Sequence, residues 1–361
     1  MPRNDRFDRL KNRRRPLEAM TAANTRMENF SASSSQREFS YLVDAMQPID
    51  PDYTKKTFDE GERVKAMLLE HLPSQYQVTF DYQGSVTSDT HIRAYSDIDL
   101  LALHGGFVSL DFGVPNLNPY QGSTLQNLTA MRRDSSLVLK TKYPAVEVDD
   151  KPGKAISLKG GSLLRKIDVV VGNWWDTELW NKHQVKMARG IQIIDTKVPE
   201  LIRNKPFWHN YAIDTKDQKV GGLRKVIRLL KTLKYDSDPE VKISSYDIAA
   251  LAWNMQESLL TVRADAYVQL ATNARDELKR FLDNQTVRDG LMVPNGTRKV
   301  FGAGGASVEG LRGLHRELAE LLAKVSQELL TSFSRYFHTT NNPNLPAWVE
   351  QRPRIILENS Y

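Results

Sequence analysis

The chain has 361 residues, 40% hydrophobic and 26% charged, which excludes extended disorder and fits two globular domains or one bilobed unit. It contains no cysteine, which excludes disulfides, cysteine zinc sites, iron–sulfur clusters and thiol nucleophiles. No apolar run approaches the ~20 residues of a membrane span, and no apolar signal core opens the chain, so no membrane contact and a cytoplasmic location are expected. The net charge is +6, and most of it is local. Arg3, Arg6, Arg9, Lys11, Arg13, Arg14 and Arg15 outnumber Asp5 and Asp8. This tail, residues 1–15, is either a solvated terminus or the one place where nucleic acid could bind.

Residues 31–36 (SASSSQ) read as a loop. Val64, Met67, Leu68 and Leu72 are spaced for one helical face, predicting a helix over 53–72 that Pro73 and Ser74 stop. Tyr76, Val78, Phe80 and Tyr82 alternate with polar residues and predict a half-buried strand, ended by Gln83-Gly84-Ser85. A second strand is predicted over 97–103. Residues 105–124 carry Gly, Pro and Asn and read as a long loop, followed by a helix over about 125–140. Strands are predicted over 144–149 and 155–158 around the turn Lys151-Pro152-Gly153, then a strongly apolar one over 163–171. Trp174-Trp175 follows it and reads as packing between lobes. Helical spacing marks 222–235, 245–260, 265–283 and 307–336. Gly302-Ala303-Gly304-Gly305 follows no strand and reads as a flexible loop. The expected organisation is a mixed α/β first domain, residues 1–205, and a helical second domain, residues 206–361.

The informative segment runs from Gly84 to Leu100. Strand side chains alternate faces, so Asp97 and Asp99 point one way, and Ile98 and Leu100 the other, into a core. Two adjacent carboxylates on a half-buried sheet repel unless a cation lies between them. Oxygen-only ligands favour a hard ion such as Mg²⁺. Asp168 stands in the apolar run Ile167-Asp168-Val169-Val170-Val171. It is either a buried ion-pair partner or a third member of the acid cluster. A three-acid cluster can hold two metals ~3.5–4 Å apart and so support phosphoryl transfer. Gly84-Ser85 is either an ordinary turn or a place where backbone and hydroxyl approach a phosphate.

This pattern resembles the nucleotidyltransferase signature of the DNA polymerase β superfamily. The signature is Gly-Ser, a spacer (eleven residues here, between Ser85 and Asp97), Asp-hydrophobic-Asp, then a third Asp on a later strand. The resemblance implies a polymerase β-like core with a mixed sheet, a C-terminal helical lobe and a central cleft between the two. It implies that Asp97, Asp99 and Asp168 bind two Mg²⁺ ions, with Mn²⁺ as a substitute, and that Asp168 helps deprotonate the attacking hydroxyl. Gly84 and Ser85 would bind the triphosphate.

In the second half, Lys231 closes an apolar-basic helix, and Ser244-Ser245-Tyr246-Asp247 opens another. Read locally, Lys231 is a solvated helix residue, Ser244 with Asp247 a capping box, and Tyr246 a core residue. The pair also resembles the helical lobe of oligoadenylate synthetases and cyclic GMP-AMP synthases. That resemblance implies that Lys231 contacts a donor triphosphate and that Ser245 and Tyr246 bind a nucleotide, Tyr246 by stacking on its base. With Thr90 and Ile92 before Asp97, the chain is most similar to the bacterial cGAS/DncV-like nucleotidyltransferases over most of residues 50–335. These make cyclic or linear oligonucleotide signals from NTPs in antiphage defence. Lacking cysteine, the chain cannot build the zinc-binding insert through which the animal cyclic GMP-AMP synthase is activated by DNA. The expected function is therefore a Mg²⁺-dependent oligonucleotide second-messenger synthase. The alternative is a nucleotidyltransferase that modifies a protein or extends an RNA end.

Overall fold

The computed structural model describes residues 36–93, 97–117 and 119–340, together with Arg6 and Leu10. Residues 31–35 and the rest of the basic tail lie outside the described residues. The chain forms two units. One comprises Pro48–Lys216 and Met292–Thr297; the other comprises Met1–Gln47, Asp217–Leu291 and Arg298–Tyr361, and so includes the first described helix, α1 (Arg37–Met46). This partition differs from the division at residue 205 read along the sequence. The reason is tertiary: α1 joins the helical unit through long-range bonds that no local pattern records.

The sheet unit begins with α2 (Pro51–His71). The Asp50 side chain accepts from Asp52 N at 2.8 Å, and Pro51 starts the first turn without needing an amide partner. Val64 and Leu68 are buried, as their spacing predicts. The next strand starts later than expected. Ser74–Tyr76 form a 3₁₀ turn and Gln77 adopts φ 44°, so β1 is Thr79–Gln83 and Tyr76 is buried in the turn. β2 (Ile98–Leu110) runs well into the expected loop. A Cβ on Gly105 would lie 2.3 Å from Gln77 O, so the glycine permits a close backbone approach rather than a loop. The pairing shifts register between His104 and Ser109, and Asn173 Nδ2 donates to Ser109 Oγ at 2.9 Å beyond that shift.

Helix α3 (Thr124–Lys142) is capped by Ser123. Strands β3 (Glu147–Asp149) and β4 (Ile156–Lys159) pair back as expected. Arg132, almost fully buried, reaches the carbonyls of Asp150, Pro152 and Ala155 and so fixes their turn. β5 (Ile167–Asp176) is longer than its apolar run and includes both tryptophans. Trp174 Nε1 donates to Thr79 Oγ1 at 3.3 Å, and its ring lies 5.9 Å from that of Phe207. Trp174 thus packs within this unit's own core, and Trp175 is buried. Helix α4 (Glu178–His183), two further strands, β6 (Gly190–Asp195) and β7 (Glu200–Asn204), and helix α5 (Pro206–Val220) follow; the sequence pattern did not reveal them.

The seven strands form one mixed sheet, ordered β1-β2-β5-β4-β3, with β6 also on β5 and β7 on β6. β2 and β5 are parallel; the other pairs are antiparallel. β4 pairs with the first part of β5 and β6 with the second, both along the edge opposite β2. Ile98, Leu100, Ile167 and Val169 form one face, packed with Val64 and Leu68 of α2 and Leu128 and Met131 of α3. Leu101, Leu103 and Val170 form the other face, with Ile191, Ile193 and Phe207.

The helical unit is built round α6 (Leu223–Asp236), which is buried on nearly every side. Tyr41 Oη of α1 donates to Asp236 Oδ2 at 2.9 Å, and Arg228 Nε donates to Met46 O at 3.0 Å. Helices α7 (Ser245–Trp253) and α8 (Glu257–Leu260) replace the single helix expected over 245–260. Asn254 closes α7 by donating to Ala250 O, and Gln256 N donates to Glu277 Oε2 instead of continuing the ladder. α9 (Tyr267–Asp283), α10 (Gln285–Gly290) and α11 (Val308–Thr340) complete the unit. Glu328 of α11 accepts the amides of Glu38 and Phe39, which caps the otherwise uncapped start of α1. Among the described residues no helix is long and apolar enough to cross a membrane.

Candidate active site

Parallel pairing of β2 with β5 places Asp99 directly beside Asp168, and Gln83 of β1 opposite Asp99. By alternation these acids share the face of Leu101 and Val170, so Ile98, Leu100, Ile167 and Val169 anchor them from the opposite face. Gly84 follows Gln83 at φ 88°, and a Cβ there would lie 2.1 Å from Asp99 Oδ2. The Gly-Ser turn is thus held against the second acid. Thr87 Oγ1 donates to Gly84 O at 2.8 Å, and Thr90 N donates to Ser85 O at 3.0 Å, so both carbonyls of the turn are bonded within the following segment. Ser85 itself is half-buried.

A cation already lies among the acids. Lys166 Nζ donates to Asp97 Oδ2 at 2.6 Å and to Asp168 Oδ2 at 2.8 Å. The backbone makes this possible: Ile98 N donates to Lys166 O at 3.2 Å, which sets Lys166 beside Asp97 where β2 and β5 begin. Burial disfavours the ammonium, but the two carboxylates outweigh it and raise its pKa. Burial also pushes Asp97 above the usual carboxylate range, against the pull of Lys166. Asp168 as it stands is an ion-pair partner, one of its two sequence readings. Yet its other oxygen, Oδ1, is buried with no hydrogen-bond partner.

That orphaned oxygen tests whether the site fits a metal. Among the described residues no three His, Asp or Glu side chains stand gathered as a ready metal site. The donor set nevertheless suits a hard cation, since it is all carboxylate, holds an ammonium and leaves one acceptor unmet. These carboxylates are chemically suited to a divalent ion, while Lys166 holds two of them as the structure stands. Sequence reasoning passed over Lys166. Its signal was its place two residues before Asp168, hence on the same face of an extended strand. It also passed over Glu60 of α2, which is buried and accepts the amides of Leu164 and Arg165 at 3.0 and 2.9 Å, fixing the approach to β5. A buried acid in a helix at that spacing gave no readable signal.

Lys231, Ser245 and Tyr246 belong to the other unit. Lys231 is only 2% exposed, which rules out its reading as a solvated residue. Ser244 caps α7: its Oγ accepts from Asp247 N at 3.0 Å and donates to Asp247 Oδ2 at 2.6 Å. Ser245 and Tyr246 are half-buried in the first turn, and the Arg298 guanidinium, paired with Asp247, lies 5.4 Å from the Tyr246 ring centre.

The cGAS/DncV-like nucleotidyltransferase C-terminal helical domain matches residues 212–322. A cyclic dinucleotide synthase, CdnE, of Yersinia aleksiciae is 36% identical over 297 residues, covering 80% of this chain and 76% of its own length. The solved structure of a STING-associated CdnE c-di-GMP synthase from Capnocytophaga granulosa superposes with a TM-score of 0.70 at 27% identity, covering 91% of this chain and 99% of that one. The Rhodothermus marinus CdnE c-UMP-AMP synthase, solved with Apcpp and Upnpp, shares the fold at 19% identity and a TM-score of 0.60, covering 79% of this chain and 96% of that one.

Proposed function

This chain belongs to the bacterial cGAS/DncV-like nucleotidyltransferase family, and from that premise we propose that it joins two nucleoside triphosphates into a cyclic dinucleotide. The observation that carries the catalytic reading is the strand register that sets Asp99 beside Asp168, with Gly84 against Asp99. In the proposed reaction a ribose hydroxyl of one nucleotide attacks the α-phosphate of another. A phosphodiester bond forms, the bond to the β-phosphate breaks, and pyrophosphate leaves. A second transfer closes the ring.

Asp97, Asp99 and Asp168 would hold two Mg²⁺ ions, with Mn²⁺ able to replace them. When bound, these supply charge for the attacking and leaving oxygens. Asp168 is proposed to take the hydroxyl proton on a carboxylate oxygen. Its anchorage in an apolar strand keeps that oxygen in place, which is what positional catalysis requires. The Gly84-Ser85 turn presents backbone and hydroxyl to the donor triphosphate. Lys231, Ser245 and Tyr246 are proposed to bind nucleotide from the helical unit, Lys231 through phosphate and Tyr246 through a base face. The product is proposed to act as a second messenger in antiphage defence.

The double substitution Asp97→Asn with Asp99→Asn tests the catalytic assignment. Product formation is expected to fall by at least about a thousandfold while the circular dichroism spectrum is kept. EDTA is expected to abolish turnover in the unmodified protein, and Mg²⁺ or Mn²⁺ to restore it. Turnover retained by the folded double variant would overturn the assignment.

A further inference from the structure

We propose that Lys166 is a resident counter-cation of the acid cluster, occupying the place of a divalent ion and yielding it when one binds. The inference rests on the proposed assignment of Asp97 and Asp168 as cation ligands. Three observations carry it. The ammonium bridges Asp97 and Asp168 at 2.6 and 2.8 Å, so it meets the repulsion that a metal would otherwise meet. Asp168 Oδ1 remains buried without a partner, so one ammonium does not satisfy the cluster. The Lys166 side chain is 36% exposed, so it has a path out toward water.

The base of the side chain stays fixed while its end moves. Glu60 holds the amides of Leu164 and Arg165, and Lys166 O accepts from Ile98 N. Four side-chain bonds then let the ammonium leave without shifting the strand. An ammonium offers one charge and three hydrogen-bond donors, whereas a divalent ion offers two charges and direct oxygen coordination, so Lys166 balances the acids but does not supply the charge a divalent ion brings to a phosphate. Lys166 therefore lowers the affinity of the empty enzyme for divalent ions and keeps the acids from repelling one another before substrate arrives.

Mn²⁺ binding to the full chain without nucleotide, read by electron paramagnetic resonance, tests this in the wild type, Lys166→Met and Asp168→Asn. Lys166→Met is expected to bind Mn²⁺ about tenfold tighter or more, because the competing charge is gone, and Asp168→Asn to bind it much more weakly. Unchanged or weaker binding by Lys166→Met, with Asp168→Asn impaired, would overturn the role of Lys166 alone. Binding by Asp168→Asn equal to wild type would overturn the metal assignment itself, and the inference with it. A second measurement needs no variant: acetylation of Lys166 by acetic anhydride, followed by mass spectrometry. Its rate is expected to rise when Mn²⁺ is added. An unchanged or slower rate would contradict the displacement, even if Lys166→Met fails to fold.

Discussion

Gly84 meets two demands at one position. Its φ of 88° disfavours any side chain, and its missing Cβ leaves the space that Asp99 Oδ2 fills. Gly84→Ala is expected to destabilise the protein by only about 1–2 kcal/mol in urea melts. It should lower turnover by at least about tenfold, because the methyl group must push the Asp99 carboxylate aside. A turnover close to wild type would show that the turn does not constrain Asp99. His209 makes a different kind of prediction. Burial pushes its pKa down to about 4, so the folded protein keeps it neutral while the unfolded chain protonates below about 6.5. Stability from this group is complete above the unfolded value and is lost as pH falls toward 4. Relative to His209→Gln, the wild type should lose about 2 kcal/mol between pH 7 and pH 5. A difference that stays constant with pH would contradict the burial. At this scale the sequence was most informative. Gly84, Ser85, Asp97 and Asp99 sit within one short segment, and Asp168 is conspicuous in an apolar run. Lys166 was passed over because Asp97, the partner that sets it among the acids, lies far from it in the chain.

At the scale of elements, the site depends on how α2 and β5 are joined. Glu60, itself buried, accepts two backbone amides just before β5 and so ties α2 to that strand. Glu60→Ala is expected to destabilise the fold by about 2–4 kcal/mol in urea melts, and Glu60→Gln by less, since its one amide oxygen still accepts from one of the two amides. Both variants should also lower turnover, because the segment they loosen carries Lys166 and Asp168. Equal stability of Glu60→Ala and wild type would remove the role assigned to this contact. Helix α2, the β3–β4 hairpin and most helices of the second unit were legible from period and punctuation. The far end of β2 was not, because Gly105-Gly106 looks like a loop until Gln77 is seen packed against it. Strands β6 and β7 are short, and their burial depends on β5 rather than on their own pattern. The break between α7 and α8 depends on Glu277 of α9, which no local window contains.

For the whole molecule, the mixed α/β class and the helical second half were readable, and the family resemblance in the sequence agrees with the relatives found. The membership of α1 was not readable. Its place in the helical unit depends on Asp236, Arg228 and Glu328, each far along the chain. Parallel pairing of β2 with β5 is likewise a property of the assembled sheet, and it sets Asp99 beside Asp168 while Lys166 ties Asp168 to Asp97. The central claim is that these acids make a small cyclic product from nucleoside triphosphates. Incubation of the purified chain with the four α-labelled NTPs and Mg²⁺, then phosphatase treatment and chromatography, tests it most directly. A phosphatase-resistant dinucleotide that disappears in the Asp97→Asn, Asp99→Asn variant is the expected result. Label recovered only in protein or RNA would contradict the claim and favour a macromolecular substrate.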